Sequence, residues 1–270
     1  MTKSCIYYTD CRIGAPIIPL CQKYIAASGL PIVSCSLKPI EFGKNFVLEG
    51  RVRSYPTMVE QIIIALENST SDYVFFTEHD VLYHKSHFDF TPLRDDIYYY
   101  NVNNWRWRYP NGFAITYEWL TSLSALCCNR LLVLNHFKKR LQVADKQGLS
   151  KLRSREPIWA RRWGYEPGTK KKRRGGFSDE DYEIWQSEYP NVDIRHKRTL
   201  SSPKTTHEEF KHQPKGWREI NIDEIPGWDL KTLFNKNYGT EKCDRKKKII
   251  RSFQKTNILD ETIKDRKSVV

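Results

Sequence analysis

The first eighty residues alternate between two hydrophobic rhythms. Residues 5–8 of "CIYYTDCR" form a short apolar run that stops at Thr9 and Asp10, the length of a buried strand. After Pro16, a residue suited to a first helical turn, Ile17, Ile18, Leu20, Cys21, Tyr24 and Ile25 recur at helical spacing, and Gly29 with Pro31 supplies a stop. Residues 32–37 of "PIVSCSL" read as a second strand. A loop with Gly43, Lys44 and Asn45 follows, and then a helix over 56–68 with Met58, Val59, Ile62, Ile63 and Leu66 on one face. The run "YVFFT", 73–77, is a third strand. Strand, helix, strand, helix, strand predicts an α/β fold with a mostly parallel central sheet flanked by helices.

Beyond residue 90 the pattern is looser. "DIYYYNV" reads as a strand, "ALCC" as a short one, and 129–144 as a helix. Ser178 is suited to cap a helix over 179–188, and "NVDIRH" returns to strand. The expected organisation is a catalytic domain over 1–234, with halves at 1–100 and 101–200, and a basic polar tail over 235–270.

Composition narrows the function classes. The chain has 270 residues, a formal charge of +13 and 13% aromatic residues. No apolar run approaches the ~20 residues of a membrane span, and "MTKSCIYYTD" lacks the charged and apolar regions of a signal peptide. Seven cysteines without metal-type spacing argue for reduced thiols and a cytoplasmic protein, in a host cytoplasm if the source is viral. Fourteen Lys and Arg face three acids in 138–175, so the excess charge forms an insertion-like patch.

Neither a G-x-G-x-x-G nor a G-x-x-x-x-G-K-[ST] motif occurs, which disfavours dinucleotide and P-loop chemistry. The third strand instead ends in "EHD". Strand alternation puts Glu78 and Asp80 on one face and His79 on the other. Paired carboxylates at the carboxyl edge of a sheet suit a divalent cation. Such a cation would neutralise a diphosphate, the leaving group when a sugar is transferred from a nucleotide-sugar. Loop carboxylates that cap backbone amides are the plainer alternative.

The order "YYTDCR", "PIVSCSL", "YVFFTEHDVLYH" and "YYYNVNNWRW" resembles the GT-A glycosyltransferases, in particular family-2-like members, over roughly residues 4–200. The resemblance implies a metal-dependent hexosyltransferase that uses Mn²⁺ or Mg²⁺ and a nucleotide-sugar, UDP-sugar first. It implies that "EHD" stands for the family's Asp-x-Asp motif, with Glu78, Asp80 and a late His196 as metal ligands. Thr9, Asp10, Arg12 and Lys44, with Glu78 and Asp80, would bind the nucleotide-sugar. Asp181 or Glu183 in "SDEDYEIW" would be the catalytic base, although helix-start acids need no catalytic role.

For the acceptor, the patch interleaves Arg161, Arg162, Trp163, Lys171, Lys172 and Arg173, and cations with aromatics suit nucleic acid. Trp105 and Trp107 alternate with Arg106 and Arg108. Trp105 is a candidate for stacking on a sugar or base, and a core position is the competing reading. A hydroxymethylated base in DNA is the favoured acceptor. The alternatives are a cell-surface glycan or lipid-linked sugar, or a non-enzymatic nucleic-acid-binding module. His79, His84 and His87 raise a metal-dependent hydrolase, which the outward-facing His79 argues against.

Overall fold

The computed structural model describes residues 1–146, 166–169, 181–199, 204–210 and 212–234. All of these belong to the unit Met1–Lys236, and the expected tail over 235–270 lies outside the described residues. A seven-stranded sheet has the order β10-β6-β9-β4-β1-β2-β3, and a five-stranded sheet the order β12-β8-β7-β11-β5. In chain order the strands are β1 (Lys3–Thr9), β2 (Ile32–Ser36), β3 (Lys44–Val47), β4 (Tyr73–Glu78), β5 (Val81–Leu82) and β6 (Ile97–Asn101). They continue with β7 (Asn104–Trp107), β8 (Phe113–Thr116), β9 (Leu126–Asn129), β10 (Asp181–Trp185), β11 (Asn191–Ile194) and β12 (Arg218–Asn221). The helices are α1 (Ile17–Ala26), α2 (Tyr55–Glu67), α3 (Arg130–Lys146) and the single turn α4 (Leu230–Leu233).

β1 and β4 lie side by side and parallel in the middle of the larger sheet. Their alternation feeds two cores. Ile6, Tyr8, Val74 and Phe76 pack with Val59, Ile62 and Leu66 of α2 and Phe137 of α3. Cys5, Tyr7 and Phe75 point the other way, toward Ile25 of α1 and Tyr83. A strand covered on both faces has no polar positions to spare, which explains why "CIYY" and "YVFF" are unbroken apolar runs.

The seven-stranded sheet is mixed but mostly parallel: four of its six strand pairings are parallel, and β9 alone runs against the rest. β9 runs antiparallel between β4 and β6, because a 3-10 turn at Leu123–Ala125 delivers the chain into the sheet from its carboxyl edge. Within the expected helix over 179–188, Asp181–Trp185 form strand β10 instead, paired parallel with β6; residues 179–180 lie outside the described residues. Tyr182 is half-buried against Tyr100 at 5.9 Å between ring centroids. That contact outweighs the helix-start signal of the acids.

His87 is sealed between these layers, against Phe75, Tyr83, Phe88 and Trp185. Its Nδ1 accepts from the Asn101 and Asn191 side-chain amides at 3.0 and 3.1 Å. Burial pushes the ring from its ordinary 6.5 down to about 3, so it is neutral in the fold, whereas the unfolded chain protonates it below its ordinary value. The resulting stability is complete above that value and is lost as pH falls toward 3, by about 2 kcal/mol at pH 5. Urea midpoints at pH 7 and pH 5 should differ accordingly in wild type, and His87→Gln should lose this part of the slope.

Candidate active site at the carboxyl edge of the sheet

The turn after β4 builds the site. β4 ends at Glu78, residues 79 and 80 form a tight turn, and β5 starts in the second sheet. β11 pairs antiparallel with β5, and the Ile194 amide donates to the Asp80 carbonyl at 2.8 Å. That register sets the chain beyond β11, including His196, beside Asp80. The seam between the sheets opens into a cleft with about 1040 Å³ of empty space, open to solvent.

One wall comes from the end of β1 and the start of α2. Ser54 caps α2 by accepting from the Thr57 amide at 3.2 Å. Gln61 donates to the Thr9 and Cys35 carbonyls at 2.8 and 3.1 Å, tying α2 to the ends of β1 and β2. Asp10 pairs with Arg53 at 2.6 Å, and Arg53 also donates to the Arg198 carbonyl at 2.8 Å. Thr9, Asp10, Arg53, Ser54 and Thr57 all line the cleft.

The floor carries the charge. His196 Nε2 donates to Asp80 Oδ2 at 3.1 Å, and both residues are buried. Ligating atoms of His79, Asp80 and His196 all lie within 4.8 Å of one another. Burial by itself would raise the Asp80 carboxyl, but His79, His196 and Arg195 outweigh it and hold the group below the ordinary carboxylate value. Asp193 is pushed up by burial and by the charge of Asp80, against the pull of Arg195 and Arg106. Arg195 pairs with Asp193 at 3.1 Å, and Arg106 reaches the same carboxylate at 3.9 Å.

These residues fit a divalent cation in two respects. His79 Nδ1 is buried without a hydrogen-bond partner among the described residues. In addition, two imidazoles and a carboxylate make a donor set that suits Mn²⁺ or Zn²⁺ better than Mg²⁺. His196 needs an adjustment. Its Nδ1 accepts from the Arg198 amide at 3.0 Å, so its proton sits on Nε2. Ligation through Nε2 requires that proton to move to Nδ1 and the 196–199 turn to shift.

The expectations for individual residues divide sharply. Thr9, Asp10, Glu78 and Asp80 line one cleft, with His196 against Asp80. Glu78 is outside the His79–Asp80–His196 group. Its carboxylate instead accepts from the Tyr8 hydroxyl, and burial with the Asp80 charge raises it to about 8. His79, expected to face away, joins the cluster because strand alternation ends at Glu78.

Arg12 is exposed; its carbonyl accepts from Arg198, and its side chain is not part of the cleft wall. Lys44 is exposed at the opposite end of the sheet, since β3 runs parallel to β2 and Lys44 pairs with Val33 near the start of β2. Asp181 and Glu183 are exposed on the outermost strand, away from the cleft. Trp105 is only 5% exposed under the Arg218 guanidinium, so it is a core residue and not a stacking surface. Arg161, Arg162, Trp163, Lys171, Lys172 and Arg173 lie outside the described residues.

Arg53, Gln61, Asp193 and Arg195 were not expected at the site. The Ser54–Pro56 helix start and the "DIRH" strand end are the signals that mark them, because both segments finish at the same edge as "EHD". No protein-family model matches the chain, and no curated protein matches its sequence.

Proposed function

We propose that the chain is a metal-dependent glycosyltransferase of the GT-A type that moves a sugar from a nucleotide-sugar, UDP-sugar first, to a hydroxyl. The observation that carries this reading is the His79–Asp80–His196 cluster at the carboxyl edge of the central strands, of which His79 and Asp80 line a cleft together with Arg53, Arg106, Arg195 and Arg198. A divalent cation held by the three would supply charge neutralisation for a diphosphate leaving group. The arginines would orient the phosphates, for which a guanidinium fork is well shaped. Thr9 and Asp10, fixed by Gln61 and Arg53, would hold the nucleoside end. The acid that accepts the acceptor proton belongs among the cleft carboxylates outside the cluster, of which Glu166 and Asp193 are two.

Asp181→Asn and Glu183→Gln should therefore change turnover by less than about twofold, since neither is within reach of a proton in the cleft. Asp193→Asn should lower kcat far more than it raises KM. Steady-state kinetics on the three variants separates these outcomes.

The favoured acceptor remains a hydroxymethylated base in DNA, supported by the fourteen Lys and Arg in 138–175. Incubation with Mn²⁺, a panel of nucleotide-sugars and hydroxymethylated DNA tests it. A hexose mass added to the DNA supports this acceptor, and modification of a glycan or lipid-linked sugar alone overturns it.

A metal-dependent hydrolase is the second reading. One observation favours it, the arrival of His79 beside Asp80 and His196 as a two-histidine, one-carboxylate set. It predicts cation-dependent cleavage of ester or phosphoester substrates, with every nucleotide-sugar left intact.

A further inference from the structure

Trp119 occupies an unusual position. It is 58% exposed, and its backbone lies in the left-handed region at φ 60, which a bulky residue rarely adopts. The loop that carries it is held on both sides. Leu120 and Leu123 are buried at 2% and 6% exposure, and the Thr121 amide donates to the Trp119 carbonyl at 2.8 Å. The Glu118 amide donates to the Lys215 carbonyl at 3.0 Å, and Glu118 pairs with the Lys215 ammonium at 3.4 Å. Gly216 lies so close that a Cβ there would come within 2.6 Å of Glu118. Among the described residues the Trp119 ring has no aromatic or hydrogen-bond partner that would account for its display on so fixed a loop.

The loop borders the cleft, since Ser122, Leu123 and Ser124 line it. Arg106 links the two regions. It lines the cleft, donates to the Tyr117 hydroxyl at 2.9 Å and sits 5.5 Å from the Tyr117 ring centroid. Tyr117 in turn stacks on Trp217 at 6.3 Å with an interplanar angle of 1°. Lys215, 86% exposed beside Glu118, and Arg218, exposed at the start of the edge strand β12, put two cations on the segment that holds this loop.

We propose that Trp119 is the platform on which a base of a single-stranded nucleic acid stacks as the strand reaches the cleft, with Lys215 and Arg218 meeting its phosphates. Charge complementarity selects the occupant. A neutral glycan would also stack on the ring, but it has no use for the surrounding cations, whereas a polyanion uses both features. The proposal depends on the transferase reading only in calling that strand the acceptor.

The test is anisotropy of a labelled oligothymidylate of about 12 nucleotides, titrated with wild type, Trp119→Phe, Trp119→Ala and Trp119→Gly. The alanine variant should bind roughly 5- to 100-fold more weakly, and phenylalanine should retain most of the affinity. Glycine should lose affinity as alanine does while its melting temperature rises, because it relieves the left-handed strain. A ring kept only for structure would not show that split. Unchanged binding by the alanine variant overturns the proposal. So does Trp119-dependent binding of a neutral oligosaccharide in the absence of strand binding. Nucleotide release from the donor is read in parallel and should persist in Trp119→Ala. If wild type shows Trp119-dependent strand binding but no donor cleavage, the platform stands and the transferase reading falls.

Discussion

Asp80→Asn should cut cation-dependent nucleotide release from the donor by at least about 100-fold, the scale seen when a metal ligand or a charge-stabilising group is removed. Asp80 is the member of the cluster that touches another, at 3.1 Å from His196, and it carries the charge that makes the site attractive to a cation. The fold should survive. Loss of its charge gives up the attraction of His79, His196 and Arg195 but relieves the repulsion from Glu78 and Asp193, and the amide keeps the shape. Melting curves recorded alongside the kinetics would separate a chemical loss from an unfolded sample. A variant that melts normally and still turns over at the wild-type rate would remove the cluster from the mechanism.

The largest stability effect should come from a residue in the core behind the site. Phe76 is fully buried in β4, with the ring of Tyr8 at 6.4 Å and that of Phe137 at 6.0 Å. Phe76→Ala should cost about 3–5 kcal/mol, transfer and cavity effects combined. That is a large share of the ~5–15 kcal/mol typical of a domain. Urea denaturation measures it directly. A cost below about 1 kcal/mol would mean that β4 does not form the centre of the core.

Much of this fold was legible where one physical demand dominated. β1 and β4 are buried on both faces, so their apolar runs had no competing reading, and α1 and α2 showed a clear helical stripe. β3 and β12 are largely half-exposed or exposed, so they lack the buried apolar run that marks the equally short β9 and β11. The half-exposed "KNFV" of β3 looked like loop. β10 misled because its acids imitate a helix start, while the deciding contact, Tyr182 on Tyr100, is long-range.

The candidate site divided in the same way. Thr9, Asp10 and Asp80 follow strands whose ends were clear, and parallel pairing brings such ends to one edge. Alternation assigns His79 to the opposite face, but β4 ends at Glu78 and the turn that follows brings His79 beside Asp80 and His196. Trp105 was ambiguous because alternation groups side chains by face without saying which face is inside. Arg53 and Arg195 are set by helix and strand ends that meet only in three dimensions.

In the proposed reading His79, rather than Glu78, completes the cation site with Asp80 and His196. Calorimetric titration of Mn²⁺ into metal-free protein in the presence of UDP decides it. The expected result is a single site in wild type, weakened by at least about tenfold in His79→Ala and little changed in Glu78→Gln. Binding that is lost in Glu78→Gln and untouched in His79→Ala, or no binding in wild type at all, would contradict it.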